Sequence, residues 1–199
     1  MAPRKPDAAY DSLMAMMAGI SKPGNVQFLK DGDTQVKLLL PKTAADASGM
    51  AAMFNTWFAS KTDPSKLEPF PYFLICGVIV SADEQGVADP SRVRYIKVPQ
   101  TVLREIIAIY GKWGKKLFED NGPTITIMKA KGKNAKPPYR ASLDPDEFNI
   151  LDTDGKGGTV TWPEQTIQDA AQDQEARSLE MAQEGQKNPK PVVAAEDLA

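Results

Sequence analysis

RVRYIKVPQTVLREIIAIYGKWGKKLFEDNGPTITIMK, residues 92–129, is the stretch that decides the fold. Its first eight residues alternate. Val93 and Tyr95, with residues at 97–99, mark one face, and Arg92, Arg94 and Ile96 mark the other, which is the period of a strand. The period then changes. Val102, Leu103, Ile106, Ile107, Tyr110, Trp113 and Leu117 recur at helical spacing. This predicts a helix over 101–118, about five turns long, with Thr101 as its N-cap. Gly111 and Gly114 weaken its second half by about 1 kcal/mol each relative to Ala, and Asn-Gly-Pro at 121–123 stops it. Alternation resumes at Thr124. The unit is strand, helix, strand.

Upstream, NVQFLKDGDTQVKLLLP (25–41) places Val26, Phe28, Val36, Leu38 and Leu40 at alternate positions around an Asp-Gly-Asp turn signal. It predicts a hairpin, or one long strand bent at Gly32. Segment 44–60 carries Met50, Met53, Phe54, Trp57 and Phe58 at helical spacing and predicts a helix packed by one face. PFPYFLICGVIV (69–80) is a continuous apolar run, the signature of a strand covered on both faces. Downstream, TITIMKAKGKNAKPPYRASL (124–143) begins and ends as two strands of a hairpin. The predicted fold class is mainly β with helices. Five strands with a helix between the third and fourth, and a helical insert after the first, give the element order of the OB-fold, a small Greek-key barrel. A general α+β sheet with two helices is the competing architecture.

Residues 1–22 form an N-terminal arm, 23–150 the core domain, and 151–199 an acidic C-terminal extension. The arm is Pro-rich with Arg4 and Lys5, and a short helix is expected over 10–20. The arm is also a candidate contact to a neighbouring copy, so oligomerisation fits the sequence. Segment 165–199 is rich in Gln, Ala and Glu and is expected to lie outside the main core, helical or disordered.

The 199 residues carry 24 Lys and Arg against 26 Asp and Glu, a net charge of −2. That total hides a division. Residues 1–140 hold 20 cations and 13 anions, or +7, and residues 141–199 hold 4 and 13, or −9. A basic body with an acidic tail points toward nucleic acid. There is no histidine and one cysteine, Cys76, inside an apolar run. A disulfide framework and the usual tetrahedral zinc site are therefore excluded within one chain. No cofactor motif is present. MAPRKPDAAYDS is not followed by the apolar stretch of a signal peptide, and no run reaches the length of a membrane span. A reducing, cytoplasmic setting without membrane contact is the expectation.

Phosphates attract cations, and unpaired bases stack on flat apolar faces. Residues 110–140 supply both. Lys112, Lys115, Lys116, Lys129, Lys131, Lys133, Lys136 and Arg140 are interleaved with Tyr110, Trp113, Phe118 and Tyr139, against two acids, Glu119 and Asp120. Alternation puts Lys129, Lys131 and Lys133 on one face, and Arg92 and Arg94 extend it from another strand. A solubilising loop is the lesser alternative for the lysines, and core packing is the better account of Tyr110 and Trp113. Tyr139, beside two prolines and Arg140, is the best stacking candidate. The predicted ligand is single-stranded DNA, with RNA as a second candidate, bound without sequence preference. The acidic extension would compete for the same basic groove and offer a docking segment to partner proteins.

FLKDGDTQVKLLLP, RYIKVPQTVLREIIAIYG and GPTITIMKAKGK…PPYRASL together resemble the bacteriophage OB-fold single-stranded DNA-binding proteins. The resemblance covers residues 26–143. It implies coating of exposed strands during DNA replication, recombination or repair, with Lys129, Lys131, Lys133, Tyr139 and Arg140 as the strand-binding element. It also implies recruitment of replication or recombination proteins through the acidic tail. Two departures stand out. Some members hold zinc in the insert, for which this chain has no ligands, and the terminal AAEDLA is only mildly acidic.

Other readings carry less of the sequence. Asp152, Asp154 and Gly157 follow the start of a calcium loop, but Lys156 occupies a ligand position and Glu164 comes one residue late. Asp144, Asp146, Glu147, Asp152 and Asp154 would suit a magnesium-dependent nucleic-acid enzyme, yet they fall in a turn-rich segment with no strand expected to fix them, and no Lys/Glu catalytic pattern accompanies them. A structural or protein-interaction module is the remaining alternative.

Overall fold

The computed structural model describes residues 26–29, 31–81, 91–131, 138–147 and 160–187. Its strands are β1 (Val26–Phe28), β2 (Gly32–Leu38), β3 (Ala51–Ala59), β4 (Leu67–Ser81), β5 (Val93–Pro99), β6 (Pro123–Lys129) and β7 (Tyr139–Glu147). Helix α1 (Gln100–Trp113) joins β5 to β6 through a 3-10 turn at Gly114–Phe118, and α2 (Ile167–Lys187) follows β7. The protein is mainly β with helices. Its sheet has seven strands and is open, with the hydrogen-bonded path β1-β5-β4-β2-β6-β7 and β3 paired to β4 beside it.

β4 organises this sheet. Its first half, Leu67–Ile75, pairs with β3, and its last residues, Gly77–Ser81, pair with β2. β5 takes Tyr72–Val78. Because the β5 register overlaps both others, β3 and β2 succeed one another along the opposite edge. The handover falls at Gly77. A Cβ there would come within 2.6 Å of the Lys37 carbonyl oxygen and 2.8 Å of Val36 Cγ1, so only glycine allows this approach. The order β6-β2-β4-β5 puts the fourth strand beside the first, a Greek key. β7 extends it antiparallel to β6.

Alternation along the strands divides the apolar side chains into two cores. On one side, Val36, Leu38, Ile75, Ile79, Ile96, Val98, Ile125 and Ile127 pack under Val102, Leu103 and Ile106 of α1 and Leu117 of the 3-10 turn. On the other, Leu74, Cys76, Val78, Val93, Tyr95 and Phe54 meet Ile167, Ala170 and Ala171 of α2. Each fully buried Leu, Ile or Val contributes about 1.5–3 kcal/mol. β4 is thus covered on both faces from Leu74 to Ile79, whereas Pro69 and Phe70 of the same apolar run, expected to be covered, are exposed. Burial pushes the Cys76 thiol up to about 12, leaving it unreactive.

Four expectations are corrected. The helix expected over 44–60 is strand β3, preceded by a 3-10 turn at Ala47–Gly49. Its buried Ala52 and Phe54 flank exposed Met53, a period of two. Apolar residues at 50, 53, 54, 57 and 58 fit both periods, and nine paired residues of β4 settle the choice. The first segment is neither a hairpin nor one strand. β1 pairs parallel with β5, while β2 pairs with β4 and β6. The break is at Gly32, whose φ of 107° is a glycine conformation. Thr101 does not cap α1; the cap position is Pro99, without a side-chain bond, and Gly114 at φ 58° ends the helix.

The fourth correction concerns 165–187, which joins the core. Thr166 caps α2 by accepting from Asp169 N at 3.1 Å while donating to the Asp169 carboxylate at 2.6 Å. Farther along, Glu175 accepts from Asn55 N at 3.1 Å and Ser178 Oγ accepts from Trp57 N at 2.7 Å. α2 therefore satisfies the edge of β3 that faces away from β4. An apolar stripe of alanines, too weak to stand out in a polar sequence, is enough for this contact. The arm at 1–22 and residues 188–199 lie outside the described residues.

Candidate nucleic-acid interface

The β6–β7 hairpin forms where the sequence placed it. Lys129 pairs across the ladder with Tyr139, and Met128 with Arg140. Tyr139, half-buried, shares a face with Lys129 and packs against the α1-side core, whereas exposed Arg140 lies on the reverse face. Lys131 is exposed at the turn, and Lys133 and Lys136 lie outside the described residues. Lys129 is anchored rather than loose. Its Nζ is 3.0 Å from the Asp31 carboxylate and donates to the Leu29 carbonyl at 3.3 Å. The hydrogen bond to Asp31 raises its pKa above the usual lysine value.

The other sequence candidates do not join this hairpin. Lys112, Lys115 and Lys116 are exposed at the end of α1 and on the 3-10 turn. That turn meets the start of β6, while Lys129 is at its end. Six strand steps separate Pro123 from Lys129, about 20 Å. Trp113 packs against the α1-side core with Lys116 Nζ 6.0 Å from its ring centroid, and Tyr110 stacks on Phe118 at 5.6 Å. Exposed Arg92 makes a backbone bridge to Thr161, and Arg94 sits opposite Gly77 at the start of β5.

The structure reveals a surface that the sequence reading missed. On the α2 side of the sheet, α2 covers only part of the face. Beyond it, Phe28, Phe70 and Phe58 are exposed by 54, 52 and 50 %. Phe28 stands directly across from Lys97, and Tyr72 and Phe70 follow at alternate positions on β4, opposite Phe54 and Thr56. Ring centroids of Phe70 and Tyr72 are 5.6 Å apart, and those of Phe54 and Tyr72 6.3 Å.

Lys97 lies at the centre. Its Nζ is 4.1 Å from the Tyr72 ring centroid, 5.1 Å from Phe54 and 5.5 Å from Phe28. It donates to Thr56 Oγ1 at 3.0 Å. Among the described residues no carboxylate pairs with it. Burial alone lowers its pKa from the usual lysine value. A half-buried ammonium held by ring quadrupoles and one hydroxyl keeps its charge toward solvent.

Comparison with protein-family models, with curated proteins and with solved structures returned no match.

The aromatic face lies on the α2 side of the sheet and Lys129 and Tyr139 on the α1 side; the segment after β1 links the two. Phe28 is followed by Leu29 and Asp31, the two residues that hold Lys129. Burial raises the Tyr72 pKa, the neighbouring Tyr139 adds to this, and Lys129 opposes it, so all three lie within electrostatic reach. One signal for the face existed in the sequence. Pro69 and Pro71 lack the N–H a central strand needs, and β5 pairs with β4 only from Tyr72 onward. Prolines flanking Phe70 thus marked an edge, where aromatic rings stay exposed.

Among the described residues no three acidic or cysteine side chains gather as a metal site. Asp144 accepts from Gln35 Nε2 at 2.8 Å. Asp152 and Asp154 lie outside the described residues. No helix among the described residues is long and apolar enough to cross a membrane.

Proposed function

We propose that this chain binds single-stranded DNA without sequence preference and protects it during replication, recombination or repair, as a non-enzymatic protein of the cytoplasm. One observation carries the reading. An open aromatic face surrounds Lys97, a cation with no carboxylate partner among the described residues, and the segment that follows Phe28 holds Lys129 at the root of a basic hairpin. Rings offer stacking surface worth about 1–3 kcal/mol per base, and cations supply the salt-dependent part of the affinity.

The topology supports the same reading. The pairing order of β2, β4, β5, β6 and β7, with α1 between the third and fourth, favours an OB-fold reading of this open sheet, to which β1 adds beside β5. That fold binds oligonucleotides on its second and third strands and on the loops after its first and fourth. On that reading those are β4 and β5, the connection containing β3, and the segment between β6 and β7.

Titrating oligo-dT against the full chain at two salt concentrations, followed by tryptophan fluorescence, tests the proposal. Tight, salt-sensitive binding that tolerates changes of base is expected. No binding at low salt overturns it. Strand cleavage with magnesium would replace it by an enzyme. Recruitment of replication or recombination proteins through the acidic extension at 151–199 is the accompanying proposal, tested by deleting residues 188–199, which follow α2, and measuring capture of those proteins.

A protein-interaction role has its own support in a groove of about 870 Å³ between the end of β3 and the last turns of α2. It is lined by Trp57, Phe58, Ser178, Met181 and Ala182 among others.

A further inference from the structure

Resting on the reading above, we propose that the open face recognises a dinucleotide step. One internucleotide phosphate sits on Lys97, the base on one side of it stacks on Phe28, and the base on the other side stacks on Phe70 and Tyr72.

The register dictates this division. β5 lies between β1 and β4, and Phe28 and Lys97 are direct cross-strand partners. Tyr72 and Phe70 lie two and four residues along β4 from Leu74, the residue level with Lys97. Adjacent strands are about 4.8 Å apart, so the distance across the sheet from β1 to β4 alone is roughly 10 Å. That is about three times the ~3.4 Å rise of stacked bases. Two bases seated on Phe28 and on the Phe70–Tyr72 pair therefore cannot stack on one another. The phosphate joining them falls over β5, where Lys97 is. Phe54, only 1 % exposed, forms the floor of the cage and is not a stacking surface. Thr56 holds the ammonium by one hydrogen bond, which leaves protons for a phosphate oxygen. A paired and stacked duplex does not offer bases spread in this way, so the same geometry selects unpaired strands.

The test uses the full chain, oligo-dT, and an abasic oligomer of equal length, each titrated at several salt concentrations. Lys97→Met should reduce the slope of log K against log salt by about 0.7 on both ligands, the loss of one single-strand phosphate contact. Lys97→Arg should keep the slope. Phe28→Ala and Phe70→Ala should each weaken oligo-dT roughly five- to 150-fold, with the abasic ligand and the slope unchanged. Both phenylalanines are half exposed, so these variants carry the test even if Lys97→Met does not fold.

A wild-type slope in folded Lys97→Met, or equal losses on the abasic ligand in the phenylalanine variants, overturns the subsite while leaving single-strand binding standing. Failure of the wild-type chain to bind oligo-dT overturns both.

Discussion

Two lysines, Lys37 on β2 and Lys97 on β5, are drawn into the protein, and their surroundings differ. Lys37, with no exposed surface, donates to the carbonyls of Leu117 at 2.8 Å and Pro123 at 3.2 Å. Burial pushes its pKa down to about 8, against the pull of Asp120 and then Glu119. It ties β2 to the turn between α1 and β6. Lys97 has one hydroxyl and three rings, and its face is open. A buried charge held by two backbone carbonyls is structural. A half-buried charge with spare protons, ringed by exposed aromatics, is suited to a ligand.

The sharpest way to break this contrast is Lys37→Ala. It leaves two carbonyls without a donor and opens a cavity, and should destabilise the fold by about 3 kcal/mol or more. Chemical denaturation measures it, and oligo-dT affinity of the folded fraction should be unchanged. Gly77→Ala comes next. The forced contact with the Lys37 carbonyl should cost about 1–3 kcal/mol, read as a lower melting temperature. Neither variant touches the aromatic face.

Tyr72→Ala addresses the other region. It should weaken oligo-dT by about 1–3 kcal/mol while leaving the salt slope intact. Smaller still is the linked pH effect. The Lys37 pKa in the folded chain lies near 8, below the 10.5 of an unfolded lysine. Between those values the unfolded chain binds more protons, so this group makes stability rise with pH across that window. Denaturation midpoints across it should show the rise, and Lys37→Met should remove it. The smallest effect belongs to Lys112, Lys115 and Lys116. Replacing all three by Ala should change oligo-dT affinity less than removing Lys97 does, because they stand at the far end of β6.

The parts of the fold legible in the sequence are those with local periodicity. β4, β5, α1 and the β6–β7 hairpin each carry a pattern long enough to choose between strand and helix. β3 did not, because its apolar residues suit either period and only the pairing with β4 selects one. α2 was legible as a helix but not as part of the core. Its contact depends on Ala170, Ala171 and Ser178, small residues that matter only beside β3.

The candidate site divides the same way. Lys129, Lys131 and Tyr139 were legible because charge and prolines crowd one hairpin. Phe28, Phe70, Tyr72 and Lys97 were hidden inside strands read as core, since exposure of a strand residue depends on where its neighbours end.

The most direct measurement is photochemical cross-linking of oligo-dT to the full chain, with the modified residues located by mass spectrometry. Adducts on Phe28, Phe70 or Tyr72 are the expected result. Adducts confined to 110–118 or to α2, with none on that face, would contradict the account.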